Sequence, residues 1–267
     1  MSKLEPLCYA YRDVGSRREE DLAEHLMEVA SCCASRWELS ALASKMSKAL
    51  GIGFNTTRDA LILAGLLHDI GKAAYVYQKL CSSDKCTDFQ GHYLISAFIT
   101  HLALNLSGTT VDTRDVVEFL SDNYAKLSED KIFAILMILP IAFHHYHQVR
   151  GVRSYDTILR HSVEDFLENP LIHSPCLESF KRVTGYRGVS SARGKDLIRS
   201  LYTLLTDIKS RVEQDSYRCS KLFIQMLEEL VRKGLRELSI TLGKTIIEAV
   251  TGVVNLCDGS VASKKRR

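Results

Sequence analysis

Residues 58–72 read RDALILAGLLHDIGK. From Ala60 to Leu67 every position is apolar or glycine, so a helix here is hydrophobic nearly all round, the pattern of a central buried helix. Thr56 or Thr57 is its expected start and Gly71 its expected C-terminal cap. At its end stand an imidazole and a carboxylate side by side, His68 and Asp69, followed by Lys72. One such pair means little alone. The question is whether the rest of the chain supplies partners.

Helical periodicity continues on both sides. Ser16 to Glu19 (SRRE) fits a capping box opening DLAEHLMEVASCCASRW. GHYLISAFITHLALNLSG predicts a helix closed by Ser-Gly, VVEFLSDNYAKL another, and Ser128 opens EDKIFAILMILPIAFHHYHQ. Pro140 removes a backbone hydrogen bond from that last helix and can bend it toward a site. Residues 148–195, broken by Gly151, Pro170, Pro175, Gly185 and Gly188, read as a loop-rich insertion of mixed charge. Long helices return from about residue 195 to 257, and 260–267 form a basic tail ending KKRR. No alternating strand and no internal repeat is visible. The expected architecture is all-α, one domain over residues 1–267.

Composition is that of an ordinary globular chain: 267 residues, 46% hydrophobic, 25% charged. A net charge of +3 is too mild to argue for nucleic acid by itself. No apolar run approaches the roughly 20 residues needed to span a bilayer. The start, MSKLEPLCYAYRD, lacks the apolar core of a signal peptide. A cytoplasmic protein with no membrane partner is expected. The eight cysteines are scattered, apart from Cys32 and Cys33, and read as free, mostly buried thiols. Cys81 and Cys86 (CSSDKC) offer two zinc ligands, but no second cysteine pair completes a site.

Helical phase sorts the histidines, at about 100° per residue. His25 shares a face with Leu22, Leu26 and Val29, and His92 with Ile95, Ser96 and Ile99. His144 and His145 close an apolar helix, and Asp258 follows the stripe of Ile247, Thr251 and Val254. His101, nine positions after His92, falls on the opposite side and reads as a surface residue. Taken singly, an inward histidine is more often a hydrogen-bonded core residue than a ligand. Together, five inward imidazoles and two inward carboxylates on apolar helices are too costly to bury unpaired, and metal ions resolve that cost.

In this order the residues resemble the HD metal-dependent phosphohydrolase superfamily, with HDIGK as its core motif. The closest likeness is to the separately encoded HD nuclease of type I CRISPR interference. CYAYRD with LAEHL at the start, GHYLISA, the adjacent His144-His145 and LCDGSVASKKR at the end carry it. The resemblance implies an HD-domain helical bundle holding two divalent transition-metal ions. Imidazole-rich ligation favours manganese, iron, cobalt or nickel over magnesium. By the same resemblance His25, His68, Asp69 and Asp258 hold one metal, and Asp69 bridges to a second held by His92, His144 and His145. Lys72 adds a positive charge near the phosphate, and Ser96 stands behind the ligands to orient one of them or the phosphate.

The implied activity is a metal-dependent nuclease cleaving single-stranded DNA, the displaced strand of an R-loop in antiviral defence, with RNA as a further substrate. Implied partners are a separate ATP-dependent helicase and a guide-RNA surveillance complex. LGKT at 242–245 imitates the end of a phosphate-binding loop, but Leu238 stands where its first glycine belongs. Arg150, Arg153, Lys181 and Arg182 are candidate strand contacts, with Tyr146 and Tyr155 available for stacking. The alternative is an HD phosphohydrolase of nucleotides or cyclic dinucleotides. The acidic residue and Gly-Tyr-Pro that follow the histidine pair in the cyclic-dinucleotide enzymes are missing from HHYHQVRGVRSYD.

Overall fold

The apolar segment that opened the argument is helix α3, Phe54–Leu67, buried from Ala60 to Leu67. In the computed structural model, which describes residues 8–82, 85–86, 89–145, 152–230 and 240–265, it lies at the centre of the bundle. It packs against α1 (Leu22–Ser35), α2 (Trp37–Leu50), α7 (Glu129–Phe143) and α12 (Leu242–Lys265). His68 caps α3, and a single 3₁₀ turn, Ile70–Ala73, then lies along α5 (His92–Leu106). α5 packs in turn on α7, so the ends of three apolar helices meet at one place. The fold is all-α, as expected.

Gly71 does not cap α3. A Cβ there would stand 2.2 Å from the His92 carbonyl oxygen and 2.7 Å from the Ser96 nitrogen, so glycine is what lets the turn touch α5. Ser96 Oγ accepts the Gly71 N–H at 2.8 Å and donates to the His92 carbonyl at 2.9 Å, fastening the two backbones together.

Several expectations need correction. A small antiparallel sheet is present, in the order β2-β1-β3, from Tyr9–Asp13 (β1), Arg18–Asp21 (β2) and Lys85–Cys86 (β3). The supposed capping box lies in its hairpin: Ser16 bonds Asp13, and Asp21 is the N-cap of α1, accepting from the Glu24 N–H. The Gln78 amide of α4 (Tyr75–Ser82) joins β1 to the 3₁₀ turn by donating to the carbonyls of Tyr9 and Lys72.

Within 148–195 the described residues are mostly helical, with α8 at Val152–Glu168 and α9 at Ser174–Thr184. Pro175 sits in the first turn of α9 and Gly185 is its C-cap, so these breakers mark helix ends, and Gly151 lies outside the described residues. α6 (Thr113–Leu120), α10 (Ala192–Thr206) and α11 (Ile208–Glu229) complete the bundle.

The basic tail is helical to Lys265, whose ammonium pairs with Glu24 and Glu28 at 3.1 Å each. α12 is long and apolar enough to cross a membrane by length and composition, contrary to the reading of the sequence. Its buried stripe, which includes Ile246, Val250, Val254 and Val261, packs on α1 and α7 as a core helix does.

Of the described cysteines only Cys33 is the free, buried thiol expected. Cys8–Cys176, Cys32–Cys257 and Cys81–Cys86 are disulfides, which also removes the zinc reading of CSSDKC. Two of these bridges join residues 168 and 225 positions apart, a proximity invisible before folding.

His101 is buried, 3% exposed, with Nε2 3.3 Å from Asn105 Nδ2 and its ring against Phe223. Burial pushes its pKa down to about 4. An unfolded chain binds this proton near pH 6.5, whereas the folded one refuses it until about pH 4. Its contribution is therefore complete above the unfolded pKa and is lost as pH falls toward the folded one, by up to about 3 kcal/mol. His101→Leu should shrink the difference in urea stability between pH 7 and pH 4.5. An unchanged difference would show that this imidazole is already charged in the fold.

Candidate metal centre

The histidines reach the centre from different helix positions. His68 and His144 are the C-caps of α3 and α7, where the negative ends of the helix dipoles favour cations. His92 opens α5, and His25 lies one turn into α1 on the stripe of Leu22, Leu26 and Val29. Each has its Nδ1 engaged: His68 with the Gly65 carbonyl at 2.8 Å, His144 with Ile141 at 2.7 Å, His92 with Phe89, and His25 with the Glu20 carboxylate at 2.8 Å. That fixes the ring orientations and leaves each Nε2 as the inward nitrogen.

Asp69 stands between them. Its Oδ1 lies 2.8 Å from His92 Nε2 and 3.4 Å from His144 Nε2. Its Oδ2 lies 3.5 Å from both His25 Nε2 and His68 Nε2. Asp258 Oδ1 approaches the same two nitrogens, at 3.3 and 3.8 Å. Two donor groups result, Asp69 with His92, His144 and His145, and Asp69 with His25, His68 and Asp258, the ligand atoms of each within 4.8 Å of one another.

The Nε2 atoms of His25, His68, His92 and His144, with Asp69 Oδ1 and His145 Nδ1, are buried without a hydrogen-bond partner. Orphaned buried polar atoms in such numbers are rare in proteins. Divalent cations fit them, since neutral imidazole and carboxylate are their usual ligands and only a carboxylate can present one oxygen to each of two ions.

Electrostatics agree with the two-sided layout. Burial raises the Asp69 pKa, but His68, Lys72 and His92, with His144 close by, outweigh it and hold the carboxyl well below its usual range. Asp258 is held low against burial by His25 and His68. Burial lowers His25, yet Asp258, Asp69 and Glu20 override it and raise the pKa to about 10. On the other side burial brings His144 to about 4, and burial with the neighbouring His144 and His92 brings His145 to about 2. Both are therefore neutral at physiological pH and have free lone pairs.

Lys72 is buried, with Nζ 2.5 Å from Asp69 Oδ2 and 5.0 Å from the Phe89 ring centroid. Residues 12–130 match the family model described as Cas3, HD domain. This chain carries a Cas3-type HD domain. Such domains are metal-dependent phosphohydrolases of the CRISPR context. No curated protein and no solved structure matches the chain. The matched part of this Cas3-type domain contains His25, His68, Asp69, Lys72, His92 and Ser96. His144, His145 and Asp258 lie beyond it and enter the cluster by geometry alone.

Other expected site residues fare differently. The Ser96 hydroxyl bonds backbone groups of Gly71 and His92, and so positions the HD turn rather than a free ligand. Lys181 pairs with Glu178 at 2.7 Å and Arg182 with Asp21 at 2.5 Å, so both cations already face a carboxylate. Arg150 and Tyr146 lie outside the described residues, as do the side chains of Arg153 and Tyr155.

Glu20 was missed. Only 2% exposed, it lies opposite Tyr11 in the β1–β2 ladder and holds His25 from behind. The available signal was the pair of short segments YAYRD and REED around Val14-Gly15-Ser16, a hairpin pattern obscured by its charged residues.

Proposed function

We propose that the chain is a nuclease that hydrolyses single-stranded DNA, with RNA as a secondary substrate, and that it works with a separate ATP-driven helicase and a guide-RNA complex in the cytoplasm. The observation that carries this reading is the ring of partnerless Nε2 atoms divided between the two oxygens of Asp69. His25, His68, Asp69 and Asp258 would hold one cation, and Asp69, His92, His144 and His145 a second. Manganese, iron, cobalt or nickel suits this nitrogen-rich set better than magnesium.

Such a pair of ions, when bound, supplies Lewis acidity at phosphorus and lowers the pKa of water in the site. The chain's own part is to hold and orient. Nδ1 anchoring keeps four rings aimed inward, and neutral His144 and His145 need lose no proton to act as ligands. Lys72 offers an ammonium beside the shared carboxylate, placed to draw a non-bridging phosphate oxygen toward Asp69.

A substrate panel tests the proposal: circular single-stranded DNA, duplex DNA, RNA, nucleotides and cyclic dinucleotides, each with manganese, cobalt, nickel or magnesium. Cutting of circular single-stranded DNA that stops with EDTA is the expected result. Fast turnover of nucleotides or cyclic dinucleotides with DNA untouched would overturn it in favour of a small-molecule phosphohydrolase.

A further inference from the structure

The two halves of the cluster are built from similar ligands but are backed differently. His68, His92 and His144 each rest Nδ1 on the carbonyl of the residue three positions earlier, a neutral acceptor. His25 alone among these four rests on a carboxylate, and that carboxylate comes from a strand, β2, rather than from its own helix. Glu20 is nearly as buried as His25 itself, so water screens its charge little.

A carboxylate on the Nδ1–H makes Nε2 a stronger donor to a cation than a carbonyl does. The His25 side also holds Asp258, whereas the His145 side has only its share of Asp69. Lys72 touches Asp69 Oδ2, the oxygen on the His25 side, and so offsets part of this difference without removing it, because Glu20 and Asp258 both act on that side alone. We propose that Glu20 is a positioning residue that makes the two metal sites unequal. The His25–His68–Asp69–Asp258 site then fills first and binds more tightly, and the His92–His144–His145 side holds the exchangeable ion.

The inference rests on the two-ion reading given above, and the test separates the two. Protein stripped with EDTA is titrated calorimetrically with manganese, and with cobalt followed by absorbance, for wild type, Glu20→Gln and His145→Ala. Wild type should show two steps. Gln keeps an oxygen to accept the Nδ1–H but lacks the charge, so Glu20→Gln should weaken the tighter step by about 10–100-fold and leave the weaker one unchanged. His145→Ala should lose the weaker step alone. A purely structural role for Glu20 would lower the unfolding temperature of the metal-free protein and move both steps together.

Should Glu20→Gln prove less stable, Glu20→Asp decides. Recovery of the tighter step on restoring the charge supports the inference, and failure to recover overturns it. A tighter step unchanged in Glu20→Gln, or abolished by His145→Ala, would also overturn it while leaving the two-ion reading intact. Absence of any binding in wild type would overturn both.

Discussion

Asp69→Asn should reduce phosphodiester hydrolysis by about 10³-fold or more while the chain still folds, the scale on which a preorganised electrostatic group acts. The reason is geometric. Asp69 is the one side chain common to both donor groups, one oxygen on each side. An asparagine keeps a single carbonyl oxygen and turns the other corner into an NH₂, which has no lone pair to give. Lys72, 2.5 Å from Oδ2, selects which corner stays an oxygen, so the amide nitrogen is directed at His92 and His144.

Metal content after dialysis should therefore fall on the His92 side more than on the His25 side. Alanine is the less informative replacement. It leaves the buried Lys72 ammonium without its carboxylate, a loss of about 3–5 kcal/mol that confuses folding with catalysis. Wild-type turnover and metal content in Asp69→Asn would remove Asp69 from the bridging position altogether.

The fold and most of this centre were legible because the relevant signal was helical phase on apolar helices. His25 and Asp258 were placed inward by neighbours three and four residues away, and the structure puts them 3.3 Å apart. Phase failed where a helix has no outside. His101 is opposite His92, but α5 is buried from His92 to Leu104, so the far side is as dry as the near side. Phase also failed where the element was not a helix. Glu20 belongs to a strand, in which its neighbours Glu19 and Asp21 point elsewhere, and a helical reading of SRREED scatters all three. The disulfides and the Gly71 contact depend on which distant backbones meet, and nothing in local pattern encodes that.

Gly71 gives the second large effect, and it is one of packing rather than chemistry. Gly71→Ala should destabilise the protein by about 3 kcal/mol, at the upper end for overpacking, because the offending atoms are backbone. The added Cβ meets the His92 carbonyl oxygen, the Ser96 nitrogen and Ile95 Cβ, and no rotamer change can move the first two. Either the 3₁₀ turn or the first turn of α5 must shift. Both routes break the Gly71 N–H bond to Ser96 Oγ and carry Asp69 away from His92, its nearest imidazole at 2.8 Å.

Ser96→Ala provides the comparison. It removes the hydroxyl and leaves the buried Gly71 N–H unsatisfied, at a cost of about 1–3 kcal/mol, without forcing the two backbones apart. Urea unfolding combined with metal titration should then rank the variants, with Gly71→Ala losing both stability and the His92-side ion and Ser96→Ala losing mainly stability. If Gly71→Ala unfolds within about 1 kcal/mol of wild type and binds metal normally, the turn and α5 can separate freely. In that case the close approach of the two backbones is not what sets Asp69 against His92.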